Sequence, residues 1–266
     1  MFRKSTSAIL KATGELFRQW RVLTIMIAIY ASLLIVMYLG VSIRESTSTQ
    51  VGLTIALTLA TPLLFFTLQM VVASCASPEF TQHSVVKSVL NSWKLLVISL
   101  PVIIATVLVL YLLNKLQAHF VTTVTAPIDP YIPIGTAQTP KSINWTAVTL
   151  NSLRYLFLGV LTPLALIQLW ISASREGLAG TLQRFLNHLG QIINPGALLI
   201  YVTGFVIFGL IPYLLLFKTT FNTRPWLEIS LFGTRLLAAF LLSLFGWTIT
   251  VRALAMERSS SAAKAT

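Results

Sequence analysis

An all-α membrane bundle of six transmembrane helices is the fold this sequence predicts, and three observations predict it. Charged residues fill only 10% of the 266 positions against 56% hydrophobic ones, and the mean hydropathy is +0.82. A soluble domain carries about 25% charged residues, and this composition would leave far too much apolar surface in water. Six stretches, 22–43, 51–74, 95–113, 147–172, 197–217 and 229–251, are long and apolar enough to cross a hydrocarbon core; about 20 helical residues cross the usual ~30 Å. These runs are continuously apolar, without alternating lipid-facing and lumen-facing residues, which selects helices over a β-barrel. With 13 Gly, 11 Pro and a single Cys, the composition fits neither a disordered nor a disulfide-stapled chain.

The first span follows a basic stretch holding Arg3, Lys4, Lys11, Arg18 and Arg21. It is too long for a signal-peptide core and lacks a small-residue cleavage site, so it is expected to remain as an anchor. Basic residues then orient the chain. Twelve lie in the N-terminal segment, the 75–94 and 175–196 loops and the C-terminal tail. Only five (Arg44, Lys115, Lys141, Lys218, Arg224) lie on the other side. Both termini are therefore expected in the cytoplasm, with a cationic surface drawn to the anionic leaflet of an inner membrane. Nucleic-acid binding would need clustered Lys/Arg with interleaved aromatics on a soluble face, and none is present.

Before each odd-numbered span lies a segment too polar to cross yet helically periodic. In the first, Ile9, Thr13, Leu16, Phe17 and Trp20 share a face, with Lys11, Glu15, Arg18 and Arg21 off it. The second offers Val86, Val89, Leu90 and Trp93, and the third Leu178, Leu182, Phe185, Leu186, Leu189 and Ile193. Such spacing predicts amphipathic helices lying at the cytoplasmic interface, anchored by Trp20, Trp93 and Arg184. The segments also align: 16–21 read LFRQWR, 89–94 VLNSWK and 185–190 FLNHLG. The even spans align without gaps on Thr61, Thr162 and Ser243. A three-fold repeat follows as an expectation, with units at about 8–74, 78–172 and 177–254 inside one membrane domain over 1–258. Chance likeness among hydrophobic helices is the competing explanation. Residues 259–266, small and polar, are expected to form a disordered tail.

The outer loops are short except 114–146, where Pro127, Pro130, Pro133 and Pro140 predict an ordered or polyproline-like cap. A plain connector is preferred there to a gate. Asn144-Trp145-Thr146 is formally a glycosylation sequon. Pro62, Pro101, Pro163 and Pro212 are expected to kink their spans.

Every acid of the chain, from Glu15 to Glu257, and each of His83, His119 and His188 falls outside a span or at its edge. The sequence thus offers no intramembrane carboxylate or imidazole for proton relay, metal ligation or general acid–base work. No Walker A, GxSxG, HExxH or Cys-pair motif occurs either. A non-enzymatic chain without metal or cofactor is the expectation. Cys75 is read as an unmodified buried thiol in preference to an acylated one. Two ionisable groups do enter spans, Arg154 and Arg235. They either contact an anion or lipid headgroup or snorkel to the interface, and snorkelling is preferred. Polar stripes on the even spans (Thr54, Thr58, Thr61 and Gln69; Asn151, Thr162, Gln168 and Ser172; Ser243 and Thr250) should turn from lipid and face one another. Helix packing through a seam of Thr61, Gln69, Thr162, Gln168 and Ser243 is preferred to a polar path.

The tripled pattern of segment, span, loop and span, carried by 16–21, 89–94 and 185–190 with the spans behind them, resembles the six-span membrane domain found with glycerophosphoryl diester phosphodiesterases and related uncharacterised bacterial inner-membrane proteins. The 266 residues hold no soluble phosphodiesterase domain and none of its acidic metal ligands, so the resemblance implies the membrane fold and not the chemistry. The function expected is an accessory or organising component of the inner membrane, in contact with lipids and with other membrane proteins. The alternative is the membrane subunit of a transporter for a small or lipid-like anion, energised by a separate ATPase.

Overall fold

The computed structural model describes residues 2–43, 47–76, 82–121, 145–185, 190, 194–217 and 225–265, and among them there is no strand. In chain order the helices are α1 (Phe2–Arg18), α2 (Trp20–Ser42), α3 (Ser48–Cys75), α4 (Gln82–Val121), α5 (Trp145–Leu156), α6 (Thr162–Gln183), α7 (Pro195–Phe205), α8 (Ile211–Phe217) and α9 (Pro225–Ala265). Two π-helical turns, Phe157–Leu161 and Val206–Leu210, join α5 to α6 and α7 to α8. Six segments are long and apolar enough to cross a membrane: Trp20–Ser42, Ser48–Cys75, Val86–Phe120, Trp145–Gln183, Pro195–Phe217 and Trp226–Arg258. The chain is an all-α, multi-pass membrane protein.

Local chemistry sets the helix ends. Thr47 caps α3 in a reciprocal box: its Oγ1 accepts the Gln50 N–H at 3.4 Å, and its own N–H donates to Gln50 Oε1 at 3.0 Å. Asn194 caps α7 through Oδ1, which accepts the Gly196 N–H at 3.0 Å, and Pro195 occupies the first helical position. Between α1 and α2 the helix breaks at Gln19 (φ −99°, ψ 47°). Inside α6 it breaks at Gly177 (φ 74°, ψ −176°), a conformation that only glycine adopts without strain.

The prolines divide into two kinds. Pro163 and Pro212 each follow a π turn by two residues, and the N–H groups of Thr162 and Ile211 bond five residues back, to Phe157 and Val206. A proline ring pushes aside the carbonyl four residues before it and offers no N–H, so the ladder shifts by one position in the preceding turn. Pro62 and Pro101 lie inside α3 and α4 without such a turn.

Two expectations change. The second amphipathic segment is no separate interfacial helix, since α4 runs through its 40 residues, about 60 Å at 1.5 Å per residue. Neither Gly nor Pro stands between Gln82 and Pro101 to end it. In the first amphipathic segment Ala12 and Leu16 are buried among the described side chains, and Phe17 of α1 and Trp20 at the start of α2 are exposed. The segment from Ser259 continues α9 as helix to Ala265, in keeping with the helix preference of Ala262, Ala263 and Ala265. The 122–144 loop, Asn144, and Leu186, Leu189 and Ile193 lie outside the described residues.

The helices form two compact units, residues 1–99 with 164–266, and residues 100–163. In the second, Thr106 Oγ1 and Thr162 Oγ1 lie 3.0 Å apart and link α4 to the start of α6. In the first, buried residues concentrate toward one end of the helices, at Leu68–Ala76, Leu164–Ala173 and Leu244–Ala255. There α7 and the π turn after it run antiparallel to α9 through glycines: Gly196 lies against Glu257, Gly204 against Thr250, and Gly246 against Phe208 of the turn. Small residues let membrane helices approach closely where no hydrophobic drive exists between them.

Candidate functional site

At that end of the first unit, polar and charged side chains from α1, α3, α6 and α9 meet. Trp247 of α9 donates its indole N–H to Gln69 Oε1 of α3 at 2.8 Å. Ser174 Oγ of α6 lies 3.5 Å from the Ala73 carbonyl of α3 and 2.9 Å from that of Ile171. Arg175 Nη2 reaches the carbonyls of Ala76 and Ala255, each at 3.5 Å, where the last carbonyls of α3 concentrate negative charge. Arg258 of α9 donates to Ser172 Oγ, to the Gln168 carbonyl at 3.3 Å and to Glu176 Oε1 at 3.4 Å. Hydrogen bonds therefore join all three pairs among spans 2, 4 and 6. Ala73, Ser174 and Ala255, which take part in these bonds, each stand twelve residues after Thr61, Thr162 and Ser243.

The deepest charge is Arg252. Its side chain is 5% exposed and donates through Nη2 to Glu15 Oε2 of α1 at 2.8 Å; the Glu15 side chain is 39% exposed. Arg252 Nε and Nη1 are buried and have no hydrogen-bond partner among the described residues. Glu257, one turn and a half further on, lies over Gly196 in the first turn of α7, where a carboxylate complements the helix dipole. Two more contacts brace the cluster: Trp170 Nε1 donates to Ser99 Oγ at 2.9 Å in a buried bond, and Ser88 Oγ to Ser74 Oγ at 3.0 Å in a partly buried one.

The residues singled out from sequence are placed as follows. Gln69 and Gln168 are buried in the cluster. Thr61 bonds back to the Leu57 carbonyl at 2.9 Å, Thr162 meets Thr106, and Ser243 is hydrogen-bonded to Tyr30 of α2. The seam residues are thus satisfied by their own helices or by neighbours outside the five, save the Gln168 Oε1, which has no partner among the described residues. Arg154 lies exposed on α5 in the second unit, and Arg235 half-buried on α9 in the first. Trp20 is exposed beneath the Arg21 guanidinium, whose carbon stands 5.6 Å from the ring centre. Trp93 and Arg184 are exposed as well.

Sequence reasoning passed over Arg252 and Arg258, which it counted only as basic residues of the cytoplasmic side, and Glu15, which it placed off the apolar face of the first segment. The available signal was Glu15 itself, the one acid on an otherwise cationic segment. No group of three or more His, Cys, Asp or Glu side chains suited to a metal ion occurs among the described residues. No protein-family model, curated protein or solved structure matches the chain. Chemically, the cluster is a set of guanidinium groups held by carboxylates, hydroxyls and helix-end carbonyls.

Proposed function

We propose that the chain is a non-enzymatic organising or accessory component of a bacterial inner membrane, with both termini and the polar cluster at the cytoplasmic side. The observation that carries this reading is the use of the seam's polar groups: Gln69, Ser172, Ser174, Arg175 and Arg258 are spent on bonds between spans 2, 4 and 6. That arrangement makes a braced end from which α1 and the start of α4, where Lys87 and Trp93 are exposed, reach anionic lipid and neighbouring proteins. The excess of basic residues on the same side supports the orientation, and the tripled pattern supports kinship with six-span phosphodiesterase membrane domains.

Purification of the chain in native lipid, with identification of what accompanies it, tests the reading. Stoichiometric co-purification of one or more membrane proteins is the expected result. Anion flux in proteoliposomes driven by a co-purifying ATPase would instead establish the transporter alternative. Reporter fusions at the two ends test the orientation, and an external signal from either end overturns it.

A further inference from the structure

Arg252 is buried and its partner is not. A guanidinium removed from water must keep an anion beside it, and among the described residues its ion-pair partner is the Glu15 carboxylate, presented by a separate helix from the more exposed side at 2.8 Å. That carboxylate engages a single guanidinium nitrogen, while Nε and Nη1 remain buried with no partner among the described residues. Five N–H donors in a planar fork suit a phosphate better than one carboxylate oxygen.

The helix that supplies Glu15 packs against α9 and α7 and has a break in the backbone at its C-terminal end. It is joined to α2 through the non-helical Gln19, whose side chain makes no capping bond. Its fully buried side chains are Ala12 and Leu16, aided by an edge contact of Phe17 with Phe245 at 5.9 Å between ring centres. Lys11 and Arg18 on the same helix are exposed, as is Arg21 just beyond the hinge. Anionic headgroups would attract these cations while competing with Glu15 for Arg252.

We propose that Arg252 is a phosphate-binding residue whose resting occupant is the Glu15 carboxylate, and that a phosphate group takes its place when α1 swings away about Gln19. The phosphate is that of an anionic phospholipid or free phosphate, two sources with one recognition chemistry. The site stands whether or not the chain organises other membrane components.

The test is hydrogen exchange of the α1 amides in the full chain, reconstituted in nanodiscs of phosphatidylcholine, of phosphatidylcholine with phosphatidylglycerol, and of phosphatidylcholine with added inorganic phosphate. Exchange over residues 8–18 should rise at least about fivefold, the low end of common coupling between sites. A rise with phosphatidylglycerol alone assigns the phosphate to the lipid; a rise with inorganic phosphate assigns it to the free ion. Glu15→Gln, a change at a partly exposed position, should raise exchange in phosphatidylcholine alone. Arg252→Gln, with α9 protection retained, should abolish the response, although Lys11, Arg18 and Arg21 still attract the anionic surface. Equal α1 exchange in all three discs overturns the proposal, as does a wild-type rate for Glu15→Gln or an intact response in Arg252→Gln.

Discussion

Thr250 occupies the space a side chain on Gly204 would need: a β-carbon built on Gly204 falls 2.0 Å from Thr250 Oγ1 and 2.8 Å from its Cβ. Thr250 cannot rotate away freely, because its hydroxyl donates to the Gly246 carbonyl at 2.6 Å. Gly246 is itself pressed against Ile207 and Phe208. The α7–α9 crossing is therefore fixed by the absence of side chains at two points on opposite helices.

Gly204→Ala should destabilise the protein by about 1–3 kcal/mol through overpacking, despite the better helix propensity of alanine. Gly52→Ala on α3, where nothing lies within 4 Å, isolates the propensity term and should stabilise by up to about 1 kcal/mol. Unfolding in a steric-trap assay in bicelles would read both. Equal effects at the two sites would refute a sterically fixed crossing.

The Trp247–Gln69 bond links spans 6 and 2 across 178 residues of sequence. Removing a partner from a buried acceptor costs about 1–3 kcal/mol in soluble proteins, but interhelical bonds in membranes average about 0.6 kcal/mol. The membrane value should govern, because the half-buried Trp247 leaves Gln69 able to find another donor. Trp247→Phe and Gln69→Leu combined in a double-mutant cycle should give a coupling of about 0.5–1.7 kcal/mol. A coupling of zero would show that the bond adds nothing to the bundle.

The six spans were legible in the sequence because hydropathy is a local property, summed over about 20 neighbouring residues. The break at Gly177 was not legible, since an apolar periodicity runs on from Leu178 and a glycine alone does not fix a positive φ. What could not be read was which side of a helix is covered. Val86, Val89, Leu90 and Trp93 form an apolar stripe, yet all four are exposed, and Ser88 and Ser92 are buried in their place. In lipid an apolar face has no need to turn inward, so the stripe that marks a core in water marks no side here. The Arg252–Glu15 pair was hidden for another reason: its partners stand 237 residues apart, and positive-inside counting registers Arg252 as one basic residue among twelve and leaves Glu15 out.

Cys75 is 1% exposed near the end of α3. A maleimide too bulky to enter the packed end should label the folded chain at least about a hundredfold more slowly than the denatured chain, since reaction requires access as well as thiolate. The pairing of rates also yields a probe of local opening at the braced end. Labelling of the native chain at the denatured rate would mean that this end is open in the membrane.

Gly177 carries φ 74° and ψ −176° at the point where α6 leaves the straight course of span 4. A β-carbon there would meet no neighbour within 4 Å, so any effect of substitution is conformational and not a clash. Residues other than glycine adopt this region only at a cost of about 1–3 kcal/mol. Gly177→Ala should relieve that cost by straightening the break, which would carry Thr181, now fully buried and bonded to the Gly177 carbonyl at 2.8 Å, out of its place. Hydrogen exchange should then show slower amides at 176–180, where the ladder becomes continuous, and faster ones at 181–184, where packing is lost. A uniform slowing from 176 to 184 would show instead that the segment beyond Gly177 owes its stability to the helix alone and not to the surface it lies on.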